Sequence, residues 1–335
     1  MPALTILASQ PGWLRKAQFV SKLDATFLYD EIHLKRSYEQ SGVRLTPANT
    51  VGGGSRVVLD IGANVGMFAT RAAEALGSLE VRLHSSLIRH FSALLYRIYN
   101  DSLFRLQGAH VIAAEPLPAT FQALQSNIAV HNSWCMSENI PCASVTALQV
   151  GVGDDSCLGT SASFTFYPKA AGWGTLTKFE SPESIFSDMD AFINNALDDE
   201  NSTALSLVQR KLGLALRKLS PGLYKSVSRA AVQQLMAAKT VVECPMTTVS
   251  EIIERHKVGK VILLKVDTER GEVDVLQGVR EDHWGRIEQA ALEVHEENLK
   301  LVLDILRLKG KFENVHTMQT ADLKDTSIFM VFAYR

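Results

Sequence analysis

The chain has 335 residues, 46 % hydrophobic and 21 % charged, a composition that buries one large core or two modest ones and excludes global disorder. Its 34 basic and 36 acidic side chains leave a formal net charge of -2, so no whole-molecule field holds nucleic acid or a membrane surface, and charge must act locally. Four cysteines, Cys135, Cys142, Cys157 and Cys244, show no CxxC pair and no zinc-type spacing; they read as buried or free thiols of a reducing compartment, with no metal or redox role.

Residues 1–55 read as a lead-in appended to the core. Met1 to Lys22 carries Arg15, Lys16 and Lys22 without an acid, but Pro11, Gly12 and polar residues break any signal-peptide core. The expected location is cytoplasmic, with organelle transit as the open alternative. No run reaches the roughly 20 apolar residues of a spanning helix. The breaker run Gly52-Gly53-Gly54-Ser55 then precedes a single domain over 56–335.

That domain opens with an apolar strand, Val57-Val58-Leu59, that ends on Asp60 and breaks into the small-residue loop Gly62-Ala63-Asn64-Val65-Gly66. Helical spacing follows from Met67 to Leu76, with Gly77 as the expected C-cap. A first insert, 78–110, carries Leu83, Leu87, Phe91, Leu94, Leu95 and Ile98 at amphipathic spacing; a helix-to-strand connection places it opposite the ligand side, for packing or oligomerisation. A second strand, Val111 to Ala114, ends on Glu115-Pro116, and Phe121, Leu124 and Ile128 mark a helix ending near Asn132. The third strand spans Val145 to Val152 and meets the turn Gly153-Asp154-Asp155-Ser156. Ser163 to Tyr167 and the turn Gly172-Trp173-Gly174-Thr175 form a hairpin, which leads into a lid-like helical insert over 180–240.

The insert segregates its charge, with seven acids and no Lys or Arg from Glu180 to Glu200, then seven Lys or Arg and no acid from Asn201 to Val242. Either a helical pair neutralises itself, or Arg210, Lys211, Arg217, Lys218, Lys225 and Arg229 face a phosphorylated substrate, an acidic carrier protein or a membrane. Strands follow over Val261–Val266, ending at Asp267, and Ala290–Val294, ending at His295; Ser327 to Tyr334 closes the chain. Near-continuous apolar strands interspersed with helices predict an α/β fold, its mostly parallel sheet covered by helices on both faces. Its ionisable strand ends stand where such sheets bind ligands.

A dinucleotide loop reads G-x-G-x-x-G and receives a pyrophosphate. Here Asp60-x-Gly62-x-Asn64-x-Gly66 sets a carboxylate before the loop, a poor partner for pyrophosphate and a good one for the ammonium of S-adenosylmethionine. Glu115 suits two ribose hydroxyls, and Asp154 or Asp155 the adenine amino group. The expected cofactor contacts are thus Asp60, Gly62, Asn64, Gly66, Glu115 and Asp154.

The chain resembles the FkbM family of S-adenosylmethionine-dependent methyltransferases over about 56–76, 111–179 and 241–334. The resemblance rests on Leu59 to Gly66, on Ala114-Glu115-Pro116 with Phe121, Leu124, Asn127 and Asn132, on Val150 to Asp154, and above all on Leu264-Lys265-Val266-Asp267-Thr268-Glu269-Arg270-Gly271-Glu272 with Val275-Leu276-Gln277-Gly278. That last segment is similar to the family's K-x-D-x-E-G-x-E-x-x-x-L-x-G signature, departing at Arg270, where glycine is usual. The resemblance implies a class I Rossmann-like methyltransferase fold with helical inserts, and O-methylation of a hydroxyl on a small molecule, sugar or natural product.

In-line methyl transfer asks the protein to align an acceptor and take its proton. Lys265, Asp267, Glu269 and His295 are the candidates, with His295 the natural base at neutral pH; for Asp267 and Glu269 the competing role is helix capping. Trp173 is a candidate cover. No metal-ligand pattern is diagnostic. The expected partner is a small-molecule acceptor, phosphorylated or carrier-bound if the basic insert faces it, with no nucleic acid. Two rivals remain: a catalytically silent Rossmann-like scaffold, suggested by Arg270 and the inserts, and an NAD-dependent oxidoreductase, disfavoured by its missing glycine spacing.

Overall fold

A run of β-branched and apolar residues buried on both faces makes β1 (Arg56–Ile61) a central strand. The computed structural model describes residues 11–21, 28–45, 56–88, 109–200, 205 and 207–335, with the backbone alone for 78–88 and 207. In it, β1 pairs in parallel with β2 (Ala109–Ala114) and β8 (Lys260–Val266); β2 pairs in parallel with β3 (Ser144–Leu148), and β8 with β9 (Gln289–His295). Two antiparallel strands, β10 (Asn314–Met318) and β11 (Ile328–Tyr334), complete a seven-stranded sheet of order β10-β11-β9-β8-β1-β2-β3. The chain runs outward from β1 to β3, then returns to β8 on the other side, which makes the β1/β8 edge the switch point where open α/β sheets bind ligands. This is the expected Rossmann-like plan. β10 had no legible strand pattern.

Helix α1 (Met67–Ile88) does not end at Gly77. A Cβ there would lie 2.1 Å from the Pro141 carbonyl oxygen, so this glycine admits a crossing segment instead of capping the helix. Helix α2 (Pro118–Ser137) outruns its expected end near Asn132 because His131 and Cys135 continue the buried face begun by Leu124 and Ile128. Of the first insert, residues 89–108, with Phe91, Leu94, Leu95 and Ile98, lie outside the described residues.

The expected third strand divides: β3 ends at Leu148, and β4 (Gly151–Val152) joins a second sheet of order β4-β7-β5-β6, with β5 (Ser161–Phe166), β6 (Thr175–Leu176) and β7 (Thr240–Thr247). Pro245 within β7 had masked that strand in the sequence. The second insert is three helices rather than a pair, α3 (Pro182–Asp198), α4 (Leu207–Leu219) and α5 (Pro221–Met236). Shorter helices α6 (Val249–Arg255) and α7 (Glu272–Gln277), then α8 (Glu296–Leu308), flank the returning strands.

The described lead-in is not set apart. Trp13, Leu14, Phe19, Tyr29, Ile32, Tyr38, Val43 and Leu45 are buried in the same cluster as Val58 and Phe332. The cysteine expectation also needs correcting: Cys135 and Cys142 are bonded to each other, while Cys157 and Cys244 are free. No helix among the described residues is long and apolar enough to cross a membrane.

Candidate functional site

The loop after β1 is tightly specified. Gly62 and Gly66 hold φ of 75° and 87°, and Asn64 one of 48°, a left-handed region that glycine and asparagine tolerate best. The Gly62 and Ala63 amides both donate to the Ala114 carbonyl at 3.0 Å, and the Asp267 amide donates to Ile61 O, so the ends of β1, β2 and β8 converge. A Cβ at Gly62 would stand 1.7 Å from the Asp267 carbonyl oxygen.

Register places Asp60 beside Lys265 on neighbouring strands. The Lys265 Nζ lies 3.1 Å from Asp60 Oδ1 and 3.3 Å from Asp267 Oδ2, and donates to the Gly62 carbonyl at 2.7 Å. Burial opposes its charge, but the two carboxylates outweigh that and hold it protonated, well above the usual lysine range. Asp60 is fully buried, and burial raises its pKa against the pull of Lys265. Tyr38 closes the arrangement, its ring 5.2 Å below Nζ and its hydroxyl donating to Asp267 Oδ2 at 3.0 Å. The ammonium that meets Asp60 is therefore that of Lys265.

Two clefts meet above this base. The first, about 650 Å³ with its mouth, is lined by the Gly62 loop, Glu115, Thr120, the backbone of Val150 to Val152 and Phe164. The second, about 720 Å³, is lined by Leu28, Trp173, Phe192, Ile328 and four carboxylates, Glu31, Asp267, Glu269 and Glu293. Asn64, Gly172, Asp267 and Glu269 belong to both. Glu115 accepts from the Asn64 amide at 3.0 Å and the Leu117 amide at 3.1 Å; burial nonetheless pushes its carboxyl up to about 7. Thr120 Oγ1 and Asn64 Oδ1 are buried without a hydrogen-bond partner among the described residues. Asp154 lies elsewhere: it lines a neighbouring hollow with Cys157 and Lys178, and its Oδ1 accepts from the Ser156 amide at 3.0 Å.

His295 departs most from expectation. Its Nδ1 lies 2.7 Å from Glu272 Oε1 and its Nε2 3.4 Å from Glu269 Oε2. Burial alone would lower its pKa, but the hydrogen bonds to Glu269 and Glu272 raise it to about 10. At neutral pH it is an imidazolium without a lone pair to accept a proton. Glu272, against that cation and Asn298, is held below its usual range despite burial, whereas burial keeps Glu269 above it. Because the folded value exceeds the unfolded value of about 6.5, the stability from this pairing is complete below that pH and lost as pH rises toward 10. Melting temperature is expected to fall between pH 7 and 10, with His295→Gln flattening that slope.

Arg270 is 4 % exposed, with φ of 74°. Its guanidinium donates to Ser184 Oγ at 2.6 Å and Glu297 Oε1 at 2.9 Å, and lies 3.7 Å from Asp188 Oδ2. Asp188 also accepts from the Ser327 amide at 2.7 Å. Arg270 thus fastens α3, which supplies Phe192 to the second cleft, to the signature loop and α8. None of the six insert cations lines either cleft. Arg217 bonds Asp198, Arg210 donates to the Asp199 carbonyl at 3.1 Å, and Arg229 covers the Phe186 ring.

Glu31, Tyr38, Thr120 and Glu293 carried no signal in the sequence reading. Glu272 stood inside the signature segment, where spacing drew attention to its neighbours instead.

The family model described as Methyltransferase FkbM domain matches residues 60–312, more than half of the chain. The 31-O-demethyl-FK506 methyltransferase FkbM of Streptomyces tacrolimicus is 27 % identical over 312 residues, covering 93 % of this chain and 90 % of that protein. Methyltransferase 1 of Beauveria bassiana (strain ARSEF 2860) is 24 % identical, covering 82 % and 75 %. A crystal structure of methyltransferase FkbM from Methylobacillus flagellatus KT aligns over 94 % of this chain and 56 % of that one, at 12 % identity and a TM-score of 0.35. Because that family model spans residues 60–312, the chain belongs to the FkbM methyltransferase family.

Proposed function

We propose that the protein is an S-adenosylmethionine-dependent O-methyltransferase, with the cofactor in the first cleft and a small-molecule hydroxyl acceptor in the second. The observation that carries this reading is the meeting of the two clefts at Asn64, Asp267 and Glu269, on the loop after β1 and the signature loop. The residues present suit the cofactor: Glu115 presents buried carboxylate oxygens toward ribose-like hydroxyls, and the unpartnered Thr120 Oγ1 and Asn64 Oδ1 await polar contacts. When bound, S-adenosylmethionine supplies an electrophilic methyl group.

The chain's own residues do the rest. Asp60 acts through Lys265, whose ammonium holds the Gly62 carbonyl and fixes the loop on which Gly62 and Asn64 line the first cleft, while Gly66 packs against Leu124 of α2. Asp267, fixed by Tyr38 and Lys265, orients the acceptor. Glu269 faces both clefts and accepts the proton of the acceptor hydroxyl, while the His295 imidazolium stands behind it to offset the change in charge. Trp173 and Phe192 exclude water from the second cleft. Four carboxylates and no Lys or Arg among its described lining favour an uncharged acceptor over a phosphorylated one. Contacts of Arg270 with Ser184, Glu297 and Asp188 support the reading that the site tolerates this departure from the usual glycine.

Calorimetric titration tests the reading. S-adenosylmethionine is expected to bind and NAD not; Glu115→Ala is expected to weaken that binding by about 1–3 kcal/mol, the scale of unpaired buried polar groups, without unfolding the protein. NAD binding in place of S-adenosylmethionine, or an unchanged affinity in the variant, overturns respectively the cofactor and the role of Glu115.

A further inference from the structure

Away from both clefts, the end of α2 gathers three donor side chains for which methyl transfer has no use. His131 and Cys135 stand one helical turn apart on the same face, and Cys142 folds back against them from the segment leading to β3. Their imidazole nitrogen and two sulfurs all lie within 4.8 Å of one another. His131 is fully buried, Cys135 is 5 % exposed and Cys142 is half-buried.

Glu74 of α1 stands behind the ring, its Oε1 3.1 Å from His131 Nε2. Cys135 Sγ lies 3.7 Å from Nδ1 and 3.6 Å from Nε2, so the nitrogen that Glu74 leaves free, Nδ1, is within reach of the sulfurs. A carboxylate holding one nitrogen of an imidazole leaves the other for a metal and is the usual support of a metal-binding histidine. Trp13 packs edge-on against the ring at 5.2 Å and screens it from water. The H-x3-C-x6-C spacing escaped the sequence reading because two of its donors sit on a helix and only one on a loop.

The two thiols have two possible fates. Oxidised, they form the Cys135–Cys142 bond. Reduced, they offer two soft sulfur donors beside a nitrogen donor, a set that suits zinc and not magnesium or calcium. We propose that in the reduced protein His131, Cys135 and Cys142 bind Zn²⁺, with solvent completing the coordination on the open side of Cys142. Both thiol protons leave as the cation enters. Zinc and the disulfide therefore exclude each other. The site ties α2 to α1 and to the approach to β3, which makes it a structural clasp rather than part of the reaction.

The test uses the full chain. A phosphine breaks the S–S bond and takes the oxygen of one water, whose two protons go to the sulfurs; the phosphine is then removed without air. Titration with Co²⁺ as the probe is expected to show one ion per chain with sulfur-to-cobalt charge-transfer absorption, displaced by an equivalent of Zn²⁺. Zinc is expected to raise the melting temperature of the reduced protein. Both effects are expected to vanish in Cys142→Ser, where the half-buried position tolerates the change, and in the air-oxidised wild type, which serves as the control should that variant not fold. Reduced thiols without a charge-transfer band or thermal shift, equal binding by oxidised protein, or a bond that resists the phosphine in the native state would each overturn the proposal.

Discussion

Replacing Lys265 by methionine is expected to destabilise the protein by about 3–5 kcal/mol, the scale of leaving a buried charge without its partner. The size follows from what Lys265 touches. Asp60 is fully buried on the neighbouring strand, and neither of its oxygens has a hydrogen-bond partner of good geometry among the described residues, so the ammonium 3.1 Å away is the charge that offsets its burial. Asp267 and the Gly62 carbonyl lose the same cation. Urea unfolding measures the loss, and the double variant Asp60→Asn with Lys265→Met is expected to recover most of it, because a neutral pair requires no buried charge. If the double variant is as unstable as the single one, the cost lies in packing rather than charge. The single variant is also expected to lose S-adenosylmethionine binding, since the loop after β1 loses its anchor.

Glu269→Gln is expected to lower turnover by about 10²–10⁴-fold, the range of a positioned general base, with cofactor affinity changed far less. Glutamine fills the same space and keeps a contact with His295, so the fold is expected to stand. The pH profile separates the candidate bases. In the wild type, the rate is expected to rise with ionisation of Glu269, whose pKa burial sets above the usual carboxylate range; His295, protonated up to about pH 10, contributes no rise near neutrality. A rate limb that survives Glu269→Gln but disappears in His295→Gln would return the base role to the histidine.

These two sites show what the sequence made legible. Asp60, Lys265, Asp267 and Glu269 stood at strand ends that apolar runs located well, because a strand buried on both faces writes its length into unbroken hydrophobicity. The partners of those residues were hidden. Tyr38 and Glu31 come from a lead-in with no periodic pattern, and reach the site only because Trp13, Leu14 and Phe19 bury that segment in the core. The protonation of His295 was equally invisible, since it depends on two carboxylates converging from a loop and a helix start. Gly77 misled for a related reason: a glycine that ends a helix and one that admits a crossing chain look the same until the crossing segment at Pro141 is in place. Local order was readable, and the long-range contacts that set charge states were not.

The clasp made by Arg270 constrains how such a protein diversifies. Ser184 and Asp188 lie in the helical insert that walls the second cleft, while Glu269 is the neighbouring residue on the signature loop. A lineage that remodels the insert to admit a differently shaped alcohol alters the surroundings of that guanidinium, and with them the posture of the residue proposed to take the proton. Under the proposed roles, selectivity and rate are mechanically coupled in this chain, whereas a glycine at the same position would have no side chain to link the two.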